Sequence, residues 1–306
     1  MASYFNGNYF VLTNYRGTKL KQVLKAGEEP EAEFPDSIDI KITNSCGWGC
    51  PFCHESSHPN GKSFNFKKLT EVLEALPRVP IELAIGGGNV FDIPEKTLKL
   101  IRWANKRGFL TRITLNYKDM YHILDYKGPY KKIMKEVGAI GVSIPRYIDK
   151  PLHEKPKDNA EWYVGSNLGI QRNCVMHIIV GVYPYEQIPL LNNYEKVLIL
   201  GYKQWGRAKN SKPKDFEKWR ETIKDFILHK KRLGITIGFD NLAIEQIYGD
   251  EFDKSSPFYG GNEFSSSMYI DAVGETFAPT SRSPERTKWT DALNIVEYFK
   301  NNKNEF

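Results

Sequence analysis

From Ser37 to Phe239 the chain alternates strand-like and helix-like patterns, and no other feature constrains its fold as strongly. Ile38-Asp39-Ile40-Lys41-Ile42-Thr43 alternates apolar and polar with period two, the signature of a strand. Leu69, Val72, Leu73 and Leu76 recur at i, i+3, i+4 and i+7, which predicts a helix over 66–76. Strands are expected at 81–85, 111–115, 139–144, 174–182, 196–200 and 235–239. Helices are expected at 95–106, 185–193 and 215–233, with a looser helical stretch ending near Val137. Gly108, Gly138 and Gly234 stand where helix hands over to strand, the place of a left-handed C-cap. Such alternation predicts parallel βαβ units.

The flanks read differently. Residues 9–12 and 18–21 read as short strands around a turn at 15–17, followed by an acidic, Pro-bearing linker over 25–35. Residues 267–271 and 275–278 flank Ala272-Val273-Gly274 and predict a hairpin, and 291–299 predicts a last helix. The divisions expected are 1–36, 37–245 and 246–306. No apolar run approaches the roughly 20 residues that span a bilayer, and the start of the chain lacks a signal-peptide layout. No membrane association and a cytoplasmic location are expected.

Directly after the first core strand comes Cys46-Gly47-Trp48-Gly49-Cys50-Pro51-Phe52-Cys53, spaced C-x3-C-x2-C. With only four cysteines in the chain, this clustering points to metal in a reducing compartment rather than to disulfides. Thiolates suit iron–sulfur clusters or zinc. Three cysteines leave one iron of a four-iron cube open, whereas a closed zinc site wants a fourth ligand from His54, His58 or Cys174. Spacing alone leaves both readings standing. Cys174, at the start of a strand, is otherwise a plain buried thiol.

With aromatic Phe52 before its last cysteine, the loop resembles the signature loop of the radical S-adenosylmethionine (radical SAM) superfamily. The resemblance implies an α/β fold, a partial (β/α)6 TIM-like barrel, here extended by a seventh strand and flanked by an N-terminal β-hairpin and a C-terminal β-hairpin and helix. It implies a [4Fe-4S] cluster on Cys46, Cys50 and Cys53, with S-adenosyl-L-methionine chelating the open iron and yielding a 5′-deoxyadenosyl radical on reduction. Phe52 would lie near the adenine.

Other positions follow by the same resemblance. Gly86-Gly87-Gly88-Asn89 ends the second strand where the family has Gly-Gly-Glu-Pro, so Asn89 and Val90 replace its acid and proline. Asn116 and Ser143 stand near strand ends where the family often hydrogen-bonds the cofactor and where turn or cap residues equally stand. His177 lies on the strand that in the family supports the adenine, where a hydrogen-bonded core histidine is the plainer reading. Lys203 and Arg207, in the basic and aromatic loop 201–207, are candidates for an anionic substrate or the cofactor carboxylate. Asp240, Asn241 and Glu245 are substrate-facing candidates.

An external electron donor of flavodoxin or ferredoxin type is implied. With no cysteine after Cys174, a single catalytic cluster is expected. The net charge of +6 is compatible with an anionic partner, and the expected substrate is a nucleotide or nucleic-acid base. A peptide or protein substrate is the alternative. Outside this class stands a zinc-stabilised nucleic-acid-binding protein.

Overall fold

The computed structural model describes residues 2–14, 19–123, 128–146, 173–211, 213, 215–229, 235–255, 259, 261, 262, 264–292 and 294–303. The turn at 15–17 and Gly234 lie outside these residues.

Strands β1 (Ala2–Asn6), β2 (Tyr9–Thr13) and β3 (Lys19–Val23) form an antiparallel sheet, one strand more than the hairpin expected. Gly7 turns β1 into β2 at φ +61°, and a Cβ there would meet the Glu31 carbonyl, so only glycine serves. The seven expected core strands are β4 (Ser37–Thr43), β5 (Glu82–Gly87), β6 (Leu110–Asn116), β7 (Ala139–Ser143), β8 (Asn173–Ile179), β9 (Lys196–Leu200) and β10 (Thr236–Phe239). They pair in parallel and in sequential order.

The expected C-terminal hairpin is β11 (Ser267–Asp271) with β12 (Thr276–Ala278). Its first strand also pairs in parallel with β4, and β13 (Thr287–Lys288) follows β12, so among the described residues the sheet has ten strands with β10 and β13 as its edges.

The connections include α1 (Phe66–Glu74), α2 (Pro94–Arg107), α3 (Tyr117–Ile123), α4 (Pro129–Glu136), α5 (Phe216–His229) and α6 (Asn241–Tyr248). Helix α7 (Ile295–Asn302) ends the described chain. Asn65 caps α1 by accepting from the Lys68 N–H, and Gly108 closes α2 at φ +91°. Gly138 plays no such part: α4 ends on extended Val137, and the Gly138 N–H bonds the Thr111 carbonyl across to β6. Residues Tyr185–Asn193 form a 3₁₀ helix rather than the expected α-helix. Pro189 lies inside it and cannot donate an intrahelical bond.

Sequential strand order has a topological consequence. Parallel crossovers are right-handed, so the described connections, which do not reverse direction along the sheet, lie on one face. That face is the core: Ile38, Ile40, Leu83, Ile113, Val142, Met176 and Val197 are buried with Leu69, Ile101, Ile133 and Trp219 of the connecting elements. The opposite, inner face carries Asp39, Lys41, Arg112, Ser143 and His177 at the alternate positions. A flat sheet would hold β4 and β9 five spacings apart, about 24 Å. Yet the Arg207 N–H, beyond β9, bonds the Cys53 carbonyl, beyond β4, at 3.0 Å. Asp39 of β4 and Asp240, the residue after β10, line one cavity, so the sheet curves and its inner face is a trough.

The segment after β3, expected to be a linker, is pinned instead, with Ala32 buried and the Glu33 and Phe34 N–H groups on Asn6 Oδ1. It leads to Asp36, which holds the small sheet to the large one. The Asp36 carboxylate accepts from Tyr4 and Tyr9 hydroxyls at 3.1 and 2.8 Å and from Asn6 at 2.9 Å, and pairs with Lys21 at 2.7 Å. Burial alone would raise its pKa, but Lys21, Lys19 and these hydrogen bonds outweigh burial and hold it below the usual carboxylate value. Its stabilisation is thus complete above an unfolded-state pKa of about 3.9 and is lost as pH falls through the lower folded value. Asp36→Ala orphans this network and is expected to destabilise the protein by about 3 kcal/mol at neutral pH. Urea unfolding at pH 7 and pH 3 checks it: the difference from wild type should shrink in acid.

Candidate functional site

The loop after β4 leaves and returns along its own path. The Cys46 N–H bonds the His58 carbonyl at 3.1 Å, the His58 N–H bonds the Asn44 carbonyl at 3.0 Å, and Gly61 lies too close to Asn44 for any Cβ. Ser45 ties this base sideways, its hydroxyl 2.7 Å from Asp92 Oδ2. At the tip, Cys46, Cys50 and Cys53 are half-buried and unbonded to one another. Gly47 and Gly49 face open space. Phe52 is half-buried on the same turn, where the Cys53 N–H bonds the Cys50 carbonyl at 3.2 Å.

Burial pushes the Cys46 and Cys50 thiols above the ordinary thiol value, and each feels the neighbouring cysteines. Backbone N–H donation from Trp48 acts the other way on Cys46, and Lys118 and Arg207 on Cys50. Asn116, at the end of β6, points its Nδ2 at Cys50 Sγ, 3.7 Å away. Asn116 is therefore gathered to the triad.

The glycines after β5 divide their roles. A Cβ on Gly87 would fall 2.6 Å from the Thr43 carbonyl oxygen, and one on Gly88 would fall 2.1 Å from that of Ser45. Both permit close packing against the chain leaving β4, where the Gly88 and Asn89 N–H groups bond Thr43 and Ser45 carbonyls. Gly86 alone faces open space. Asn89 is buried, its Oδ1 capping the Phe91 N–H and its Nδ2 bonding Asp119 at 2.9 Å.

Asp119, absent from the sequence reading, is where three loops meet. It is 3% exposed and accepts from Trp48 of the cysteine loop at 3.1 Å, Asn89 of the glycine loop at 2.9 Å and the Asn116 N–H at 3.0 Å. Burial raises its pKa, and these three donors pull the other way. Its sequence signal was faint: an aspartate three residues after a strand-terminal asparagine.

Arg207 and Lys203 are both committed inside the protein. Arg207 Nε bonds the Cys50 carbonyl at 3.1 Å and Nη1 the Ser57 carbonyl at 2.7 Å, so the guanidinium clamps the cysteine loop. Lys203 Nζ bonds Ser281 Oγ at 2.7 Å. A second tie on that loop is Glu55, paired with Lys41 at 2.7 Å and accepting from the Tyr269 hydroxyl at 2.9 Å. Neighbouring His54 has its pKa lowered to about 4 by burial and by Lys203. Asp240 is the cap of α6, its Oδ1 accepting from the Gly201 and Ala243 N–H groups.

Ser143 and His177 are paired neighbours on β7 and β8, both half-buried on the inner face. The His177 Nδ1 has no hydrogen-bond partner among the described residues. Burial, then Arg112, lowers its pKa to about 4, so the ring is neutral at physiological pH. It lies against Gly141, where an added Cβ would come within 2.2 Å of the ring. Gly141→Ala is expected to destabilise the fold by about 1–3 kcal/mol. Because the collision is with one ring, His177→Ala should relieve much of that loss in a double-mutant cycle measured by urea unfolding.

Among the described residues, no three His, Cys, Asp or Glu side chains gather tightly enough to hold a single metal ion. Cys174 faces the core side of β8, and burial raises its thiol to about 12.

No family model and no curated protein matches the chain. Solved structures do. Streptococcus suis SuiB bound to S-adenosylmethionine matches with a TM-score of 0.55, and SuiB bound to precursor peptide SuiA with 0.56. The chain shares its fold with SuiB. Identity is 15% in both comparisons, which cover 88% of this chain. The chain spans 66% and 65% of the two SuiB chains, a little under two thirds of their length. In SuiB, that fold binds S-adenosylmethionine and a precursor peptide.

Proposed function

We propose that this chain is a radical S-adenosylmethionine enzyme acting on a peptide. One observation carries the reading: three half-buried thiols stand together on a pinned loop at the carboxyl ends of the strands of a SuiB-like sheet. In this reading the curved sheet is the partial (β/α)6-type barrel, with β10 as its seventh strand.

The donor set fits a [4Fe-4S] cluster. Three soft ligands on one loop suit a cube, whose cysteines each bind a different iron. The tight four-ligand set of structural zinc is not assembled among the described residues. Cys46, Cys50 and Cys53 would hold the cluster, which would supply one electron to split S-adenosylmethionine into methionine and a 5′-deoxyadenosyl radical.

The chain's own residues do the rest. Asn116 donates to Cys50 Sγ, and the Lys118 and Arg207 charges favour its thiolate, which metal binding requires. Arg207, Glu55 and Asp119 hold the loop that carries the triad. Gly86 leaves open space beside the loop, and Ser143 and His177 offer polar atoms on the inner face, so these residues and Phe52 form the proposed cofactor surface. With Cys174 turned to the core, one cluster is proposed, reduced by an external flavodoxin- or ferredoxin-type protein.

The nucleotide expectation is set aside. It leaned on Lys203 and Arg207, and the structure commits them to Ser281 and to the cysteine loop. A peptide substrate is supported by the shared fold with SuiB, seen with its precursor peptide. Anaerobic reconstitution tests the reading: four irons and four sulfides per chain are expected, with an electron paramagnetic resonance signal that changes when S-adenosylmethionine is added. Zinc without sulfide would refute it.

A further inference from the structure

We infer that the cavity between β4, β11 and the start of α6 is a pocket for one basic side chain of the peptide, with the Asp39 carboxylate as its acceptor. The inference rests on the peptide reading above.

The cavity measures about 300 Å³ and is lined by Asp39, Lys203, Asp240, Ser281 and Arg282, with Leu242 and Pro279 as apolar wall. That volume is at the small end for ligand pockets and suits a side chain better than a nucleotide. Its charged groups are spoken for, with one exception. Lys203 is bonded to Ser281, Asp240 caps α6, and Arg282 faces Glu245 at 3.8 Å. Asp39 has neither hydrogen bond nor ion pair among the described residues.

Asp39 is nonetheless placed with care. It is the inward residue at the middle of β4, between core residues Ile38 and Ile40, and its side chain is open to the cavity. Crowded by protein and by the like charges of Glu82 and Asp240, its carboxyl is raised above the usual value despite Lys203. The carboxylate is exposed to the water of the cavity, so it costs the fold little and remains available to an incoming ligand. A protonated amine or guanidinium entering the cavity would satisfy it through a charge-assisted hydrogen bond, while Leu242 and Pro279 cover the methylene stem. Lys203 and Arg282 also line the cavity, so selectivity for a cation rests on direct contact with the Asp39 carboxylate.

The test is binding, measured calorimetrically on the anaerobically purified full chain. The probes are acetyl-Gly-X-Gly-amide peptides with X arginine, lysine, norleucine or glutamate. The basic peptides should bind wild type at least about tenfold tighter than the norleucine peptide, the scale of one hydrogen bond to a charged group. Asp39→Asn should erase that preference with an unchanged melting temperature, and Asp39→Glu should keep it. Absence of binding, equal binding of all four peptides, or a preference that survives Asp39→Asn would overturn the assignment. If wild type makes no 5′-deoxyadenosine, the radical chemistry falls, and this binding comparison still reads out.

Discussion

Cys50→Ala is expected to abolish both bound iron and S-adenosylmethionine cleavage while leaving the fold intact. Its side chain is half-buried at a loop tip and contributes little to the core, so circular dichroism and melting temperature should change little. Its thiolate, in contrast, is one of three proposed ligands and has no substitute: Cys174 is on the core side of β8, and His54 is turned toward Glu55 at 3.5 Å. Cys46→Ala and Cys53→Ala should behave alike. Cys174→Ala is the control and should keep full iron content. Iron and sulfide analysis of the four variants separates these outcomes, and a Cys50→Ala protein with wild-type iron would remove this residue from the site.

Asp119→Ala should have the next largest effect, although Asp119 touches no proposed ligand. Removing its carboxylate leaves the Trp48 indole N–H, the Asn89 amide and the Asn116 N–H without their acceptor, three donors from three loops. An orphaned buried donor costs about 1–3 kcal/mol, so buried Asn89 carries most of the loss and half-buried Trp48 and Asn116 less. The expected result is a measurably lower melting temperature together with weak iron retention through gel filtration. Asp119→Asn should recover part of both, since its carbonyl oxygen still accepts while its amide opposes one donor. Iron retention equal to wild type in Asp119→Ala would show that the three loops hold their places unaided.

The contrast between these two residues marks what the sequence made legible. The triad was readable because its spacing is local and follows a strand whose period-two pattern is unbroken from Ile38 to Thr43. Asp119 was not, because its partners come from 71, 30 and 3 residues away. By its charge, Arg207 points in sequence alone to an anionic substrate or the cofactor carboxylate. Only the curvature of the sheet, a property of the whole strand order, reveals that it reaches back to Cys50 and Ser57.

Strand β11 was legible as half of a hairpin, from its own alternation. Its parallel pairing with β4 joins residues 230 apart in the chain and has no local signal. Asp39 was read simply as the polar phase of a strand. That phase normally faces water, and here it faces the trough. The failed helix at Tyr185–Asn193 had its warning in Pro189.

The central claim is that the three cysteines support reductive cleavage of S-adenosylmethionine. The direct measurement is 5′-deoxyadenosine formed by the anaerobically reconstituted wild-type chain, reduced with dithionite and given S-adenosylmethionine. The account predicts its formation, and its loss in Cys46→Ala, Cys50→Ala and Cys53→Ala. A reduced, cluster-loaded chain that forms none, with basic peptides present or absent, would contradict it.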